Sequence, residues 1–227
     1  MAEEHCIVME NISKSYAGVE ALDNVGIAIR KGEVHCLTGE NGSGKSTLIK
    51  IIAGVVMPSR GASITIHGKT YSRLTPVDSM HHGIQIIYQD LSLFPNMTVA
   101  ENIAINQLLE SGKQTITKRL VCEIASNALR TIGIDLKLDA LVGELPIAKQ
   151  QIVAISRAVA CGESLIIMDE PTSSLGKKDI DCLFNIIRTL KSQGISILFV
   201  GHKLNEIFEI ADRVTILKDG KSLGTHD

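Results

Sequence analysis

The sequence predicts an α/β fold: a largely parallel sheet, an added antiparallel sheet near the N-terminus and a helical insertion. Three observations carry this expectation. Short β-branched runs, Ile64 to Ile66, Ile84 to Tyr88, Leu165 to Met168, Ile195 to Val200 and Val214 to Leu217, are bounded by Gly, Asp or Lys and alternate with helical patterns, as strands buried between helices do. A glycine-rich segment, Gly39 to Thr47, separates the apolar stretch Val34 to Leu37 from the helix-like run Leu48 to Ala53. The stretch from about Thr98 to Ala160 has helical signals and little strand character.

In chain order, Ile27 to Ile29 and Ile64 to Ile66, with their Gly-rich connections, suit the N-terminal antiparallel sheet. Thr98-Val99-Ala100-Glu101 has the S/T-x-x-E spacing of a capping box, in which Thr98 and Glu101 satisfy orphan N–H groups reciprocally. Ile180, Leu183, Phe184, Ile187 and Leu190 follow the i, i+3, i+4 helical period, and Gly194 supplies the stop. At 227 residues and 44% hydrophobic composition, one domain with intimate subdomains is expected: a core with its β part over about 1–97 and 161–227, and a helical part over about 98–160. The sequence shows no internal repeat or linker.

A net charge of -2, 3% aromatics and no Trp argue against an electrostatically driven or base-stacking nucleic-acid binder. The five cysteines, Cys6, Cys36, Cys122, Cys161 and Cys182, are scattered without a C-x-x-C pair, which suits reduced thiols in a cytoplasmic protein. No apolar run approaches the ~20 residues of a membrane span, so membrane association is expected only through a partner.

Gly39-Glu40-Asn41-Gly42-Ser43-Gly44-Lys45-Ser46-Thr47 matches G-x-x-x-x-G-K-[ST]. The glycines allow a tight turn whose N–H groups, with the following helix N-terminus, face phosphate oxygens. Lys45 is then placed to neutralise the β/γ-phosphates and the Ser46 hydroxyl to hold Mg2+. Leu165 to Met168 ends in Asp169 and Glu170, and ligand sites of open α/β sheets lie beyond such strand ends. Adjacent carboxylates there also suit a solvated turn. Alongside Lys45 and Ser46 they read as a Mg2+-associated aspartate and a base that polarises an attacking water. His202 follows the apolar run ending at Val200, and Gly201 leaves room for close backbone approach. It reads either as a loop residue or as a donor to a γ-phosphate oxygen.

With these motifs in this order, nearly the whole chain resembles the ATP-binding cassette (ABC) ATPases, whose core is of the P-loop type. The resemblance implies ATP and Mg2+ as ligands. It implies that Tyr16, in Ser13-Lys14-Ser15-Tyr16, stacks on adenine, and that Gln89, in Ile87-Tyr88-Gln89-Asp90, contacts Mg2+ and the water. Apart from the resemblance, Tyr16 reads as a packed aromatic and Gln89 as a polar strand-end residue. Asp169 and Glu170 match the family's Walker B aspartate and catalytic glutamate, and His202 its switch histidine. The stretches GIQIIYQDLSLFPNMTVAENI, LPIAKQQIVAISRAV and FVGHKLNEIFEIADRVTILKDGK look like the first nucleotide-binding domain of bacterial importers for ribose, galactose, xylose and autoinducer-2. That likeness implies a head-to-tail partner cassette, membrane permease subunits, a periplasmic or extracellular sugar-binding protein, and a peripheral place on the inner membrane face.

Two departures stand out. Leu145-Pro146-Ile147-Ala148-Lys149 replaces the family's L-S-G-G-Q, with a proline that has neither O–H nor N–H where a hydroxyl is usual. Gly176, in Ser173-Ser174-Leu175-Gly176, stands where many relatives carry an aspartate. Beside an ATPase of a sugar importer, the departures therefore keep two alternatives open: an ATP-binding structural partner with little hydrolysis, and a soluble ABC protein outside transport. No N-K-x-D-type guanine-reading sequence favours a GTPase.

Overall fold

The computed structural model describes residues 4–111, 116–162 and 164–227. These divide into two compact units, one of residues 4–86, 164–170 and 191–227, the other of residues 87–111, 116–162 and 171–190.

The first unit holds two sheets. Strands β1 (His5–Tyr16) and β2 (Val19–Arg30) form a long antiparallel hairpin. Its two-residue turn, Ala17 and Gly18, has φ of 46° and 87°, the mirror-image geometry that matches strand twist. Strand β1 also pairs antiparallel with β4 (Ser63–Ile66), which pairs with β5 (Lys69–Tyr71), giving the order β2-β1-β4-β5. The expected N-terminal sheet is thus present, but β1 and β2 are each twelve residues long and the sheet has four strands. Register shifts along the hairpin break the regular alternation by which a strand is recognised.

The second sheet has the order β10-β9-β3-β8-β7-β6, from β3 (Val34–Thr38), β6 (Ile84–Ile87), β7 (Leu165–Asp169), β8 (Ser196–Val200), β9 (Arg213–Lys218) and β10 (Lys221–His226). β3 runs parallel to β8 and β9, β7 runs parallel to β8, and the edge strand β10 is antiparallel to β9. All residues of β3 and β8 are buried, as in strands covered on both faces. Helix α1 (Lys45–Ile52) follows β3 and buries Leu48, Ile49, Ile51 and Ile52. It begins three residues before the sequence signal, so Lys45, Ser46 and Thr47 form its first turn. Short helix α2 (Pro76–His81) starts in a capping box: the Thr75 hydroxyl accepts from the Asp78 N–H, and Asp78 accepts from the Thr75 N–H. Helix α7 (Leu204–Ile210) links β8 to β9.

The second unit is helical, with α3 (Val99–Ser111), α4 (Lys118–Thr131), α5 (Ile147–Ala160) and most of α6 (Lys177–Ser192). Its interior includes Ile103, Ala104, Ala125, Val153, Ile155, Phe184 and Ile187. The Thr98 box forms as the sequence predicts: the Glu101 carboxylate accepts the Thr98 N–H at 2.8 Å, and the Thr98 hydroxyl accepts the Glu101 N–H at 3.3 Å. Asn102, wholly buried, pins the preceding loop by accepting the Phe94 N–H and donating to the carbonyls of Phe94, Met97 and Thr98. The periodic run from Ile180 to Leu190 lies in α6, and Gly194 follows it at φ 85°.

Candidate nucleotide site

Three adjacent parallel strands end at one edge of the second sheet. In register, Leu37 of β3 and Asp169 of β7 both pair with Val200 of β8. The Gly39–Gly44 loop, the Asp169-Glu170 pair and Gly201-His202 therefore leave the sheet side by side, though they lie far apart in sequence.

The loop is wedged against the strands behind it. A Cβ at Gly39 would lie 2.1 Å from the Leu217 carbonyl oxygen and 2.6 Å from Ser43 Oγ. At Gly44, which has φ 101° and precedes α1, a Cβ would lie 2.4 Å from the Ala21 carbonyl oxygen and 2.6 Å from Leu22 Cδ2. Neither position tolerates a side chain, so the curvature of the loop is fixed by close backbone approach. Lys45 Nζ reaches back to donate to the Gly39 and Glu40 carbonyls at 2.7 and 3.0 Å, which places a buried ammonium inside the curve. Ser43 Oγ is buried with no hydrogen-bond partner, and no backbone carbonyl among the described residues accepts from the N–H groups of Lys45, Ser46 and Thr47. Unpaired donors around a cation, at a helix N-terminus, fit a polyanion such as a triphosphate. Asn41, Gly42 and Ser46 are exposed on this loop and turn.

Asp169 ends β7 half-buried. Burial, then the neighbouring Glu170 charge, push its carboxyl above the ordinary range, while Lys45 and Lys50 oppose the shift. A carboxylate in that situation gains from a nearby cation. Glu170 has φ 47°, a left-handed conformation that costs a non-glycine residue about 1–2 kcal/mol. Its N–H donates to the Val200 carbonyl at 3.0 Å, and its Oε1 lies 3.3 Å from His202 Nδ1. Backbone strain of this kind clusters at functional positions. Gly201 is tighter than a simple spacer, since a Cβ there would lie 3.1 Å from Phe199 Cε1.

Tyr16 ends β1 at the hairpin tip, 44% exposed rather than packed. Gln89 lies exposed in the bend after β6, within the second unit. In that unit too, Pro146 is the N-cap of α5 at φ -55°, ψ 150°, with no side-chain cap bond. Its carbonyl accepts from Lys149 and Gln150, so proline starts the helix without distortion. Gly176 similarly precedes α6, and its carbonyl accepts from Asp179 and Ile180. The residues that sequence reasoning missed are Ala21, Leu22 and Leu217, which shape the loop through backbone or apolar contact. As apolar strand residues they carry no sequence signal of that role.

The model of the ABC transporter family matches residues 22–173, a span that includes the loop, Asp169 and Glu170. The chain belongs to the ABC transporter family. It is 42% identical over 223 residues to a putative ribose/galactose/methyl galactoside import ATP-binding protein of Agrobacterium fabrum, covering 98% of this ABC chain and 43% of the relative. The ABC chain thus spans less than half the length of the curated relative it matches. Among solved structures, an ATP-binding cassette of an ABC transporter in its ADP conformation superposes with a TM-score of 0.86 at 28% identity, covering 97% of this chain and 90% of the other. A dimeric ATP-binding cassette in a post-hydrolysis state, bound to ADP and Pi, gives 0.83 at 25% identity, covering 97% and 98%. The α/β cassette fold expected from the sequence is the one these neighbours share.

Proposed function

We propose that this chain binds and hydrolyses ATP as one cassette of a sugar-type ABC importer, powering transport through separate membrane permeases. The observation that carries the reading is the shared strand edge, where the Lys45 loop meets a Glu170–His202 contact of 3.3 Å. The naming of its relative as an import ATP-binding protein supports the sugar class.

ATP is the substrate. The loop amides and Lys45 bind the triphosphate, with Lys45 exchanging its two loop carbonyls for β/γ-phosphate oxygens. Ser46 and Asp169 suit a magnesium ion, and the family resemblance adds Gln89; the ion supplies charge that screens the phosphates. Water attacks the γ-phosphorus in line, the bond to the β-phosphate oxygen breaks, and ADP and phosphate result. Glu170 takes the proton of the attacking water, and His202 orients that water and the γ-phosphate. Tyr16 supports the adenine. A second cassette completes the site head to tail, as the dimeric neighbour suggests, and the helical residues about 98–160 form the subdomain facing that partner. A periplasmic or extracellular binding protein would deliver the sugar, and the cassette would sit on the inner membrane face through its permease. Among the described residues no helix is long and apolar enough to cross a membrane.

Glu170→Gln is expected to keep ATP binding, measured by calorimetry, and to lower phosphate release at least about a hundredfold, the scale of a lost general base. Comparable turnover in the variant would refute the role. A second reading, an ATP-dependent partner with weak hydrolysis, draws on Pro146, which supplies neither a hydroxyl nor an N–H at the N-cap of α5.

A further inference from the structure

The hairpin that ends in Tyr16 also backs the phosphate loop. Lys14 pairs with Leu22 while Ser15 pairs with Glu20, so Ala21 is an extra residue in β2, a bulge. Such bulges bend a strand and re-aim it. Here the Ala21 carbonyl and the Leu22 side chain abut Gly44, the residue before Lys45. Val19 is two residues back from Ala21, a rise of roughly 7 Å, and Val19 faces Tyr16 across about 5 Å. The tyrosine therefore stands on the order of 10 Å from the loop, a separation suited to the ribose and inner phosphate of a nucleotide.

Lys14 faces Leu22 across the hairpin. It lies two residues from Tyr16 on the same strand, hence on the same face, and its Nζ sits 5.3 Å from the ring centroid. No carboxylate among the described residues pairs with it. No other aromatic ring among them packs on Tyr16. An ammonium over one face of a phenol ring is attracted by the ring quadrupole and withdraws π density from the opposite face. It also holds the ring in one orientation, which reduces the ordering cost when a ligand stacks on it.

We propose that Lys14 is an affinity-determining residue for the nucleoside half of the substrate, acting through Tyr16 rather than on the phosphates. The inference rests on the reading of Tyr16 as the base platform. It assigns the Lys14-x-Tyr16 pair one function, a cation-backed stacking surface carried on the same hairpin that fixes the phosphate loop.

Calorimetric titrations of the chain with ATP and with inorganic tripolyphosphate, in magnesium buffer, test it. Lys14→Ala is expected to weaken ATP about two- to fivefold, the lower end of the cost of ordering one side chain at a binding surface, and to leave tripolyphosphate affinity unchanged. Lys14→Arg should retain ATP affinity, because a guanidinium stacks on the ring equally well. In a Tyr16→Ala background, removing Lys14 should cost nothing more. If Tyr16→Ala weakens ATP but Lys14→Ala does not, the Lys14 proposal is overturned and the platform stands. Equal weakening of ATP and tripolyphosphate by Lys14→Ala also overturns it, by showing a direct phosphate contact. If Tyr16→Ala itself binds ATP as wild type does, the platform reading falls first and takes the proposal with it.

Discussion

Replacing the loop glycines one at a time with alanine separates backbone strain from steric crowding. At Gly42, φ is 84° and a Cβ would meet nothing within 4 Å. Gly42→Ala should therefore cost only the left-handed conformation, about 1–2 kcal/mol. At Gly44, φ is 101° and the same Cβ would lie 2.4 Å from the Ala21 carbonyl and 2.6 Å from Leu22 Cδ2. Relieving that overlap moves either β2 or the start of α1, and overpacking of this kind adds about 1–3 kcal/mol. Gly44→Ala should then cost about 2–5 kcal/mol in all. Equilibrium urea unfolding of both variants reads the difference directly, because the strain component is common to both. Leu22→Ala in the Gly44→Ala protein should recover part of the loss, since it removes the side-chain overlap and leaves the carbonyl one. Equal destabilisation by the two glycine substitutions would mean that the loop is not wedged against β2, and the account of its shape would fail.

Asn102→Ala should destabilise the helical unit by about 2–4 kcal/mol, because the Phe94 N–H and its neighbouring carbonyls lose a buried partner; hydrogen exchange localised to the loop before α3 would show it. Glu33 gives a pH signature. Burial raises its carboxyl, but the His35 hydrogen bond, the Arg30 N–H and the His35 and Arg213 charges together hold it below the ordinary 4.5. Its folded value is depressed, so the stabilisation is present above about pH 4.5 and is lost as the pH falls through the lower folded value. Wild-type melting temperature should therefore drop more steeply than that of Glu33→Gln in that acid range, and parallel curves would sink the assignment. Pro146→Ser, assayed in the full transport assembly, should raise ATP turnover if the missing hydroxyl weakens the clasp on the partner's nucleotide; unchanged turnover would discount that departure.

The parts of the molecule legible in the sequence are those whose physics is local. Apolar runs such as Leu165 to Met168 and Ile195 to Val200 announced strands buried on both faces, and the Thr98-x-x-Glu101 spacing announced a capping box that forms as expected. The long hairpin was less visible, since its bulges and polar residues interrupt the alternation.

By itself the sequence determined the candidate phosphate loop, because G-x-x-x-x-G-K-[ST] encodes a backbone curve and one cation within eight consecutive residues. It also supplied Glu170 and His202 as chemistry without a place. The tertiary structure decided that they meet, since the sheet order β3-β8-β7 brings to one edge groups more than thirty residues apart in the chain. It alone decided why Gly39 and Gly44 must be glycine, through the carbonyls of Leu217 and Ala21. A carbonyl oxygen belongs to every residue type, so its approach leaves no mark in the sequence of the strand that provides it.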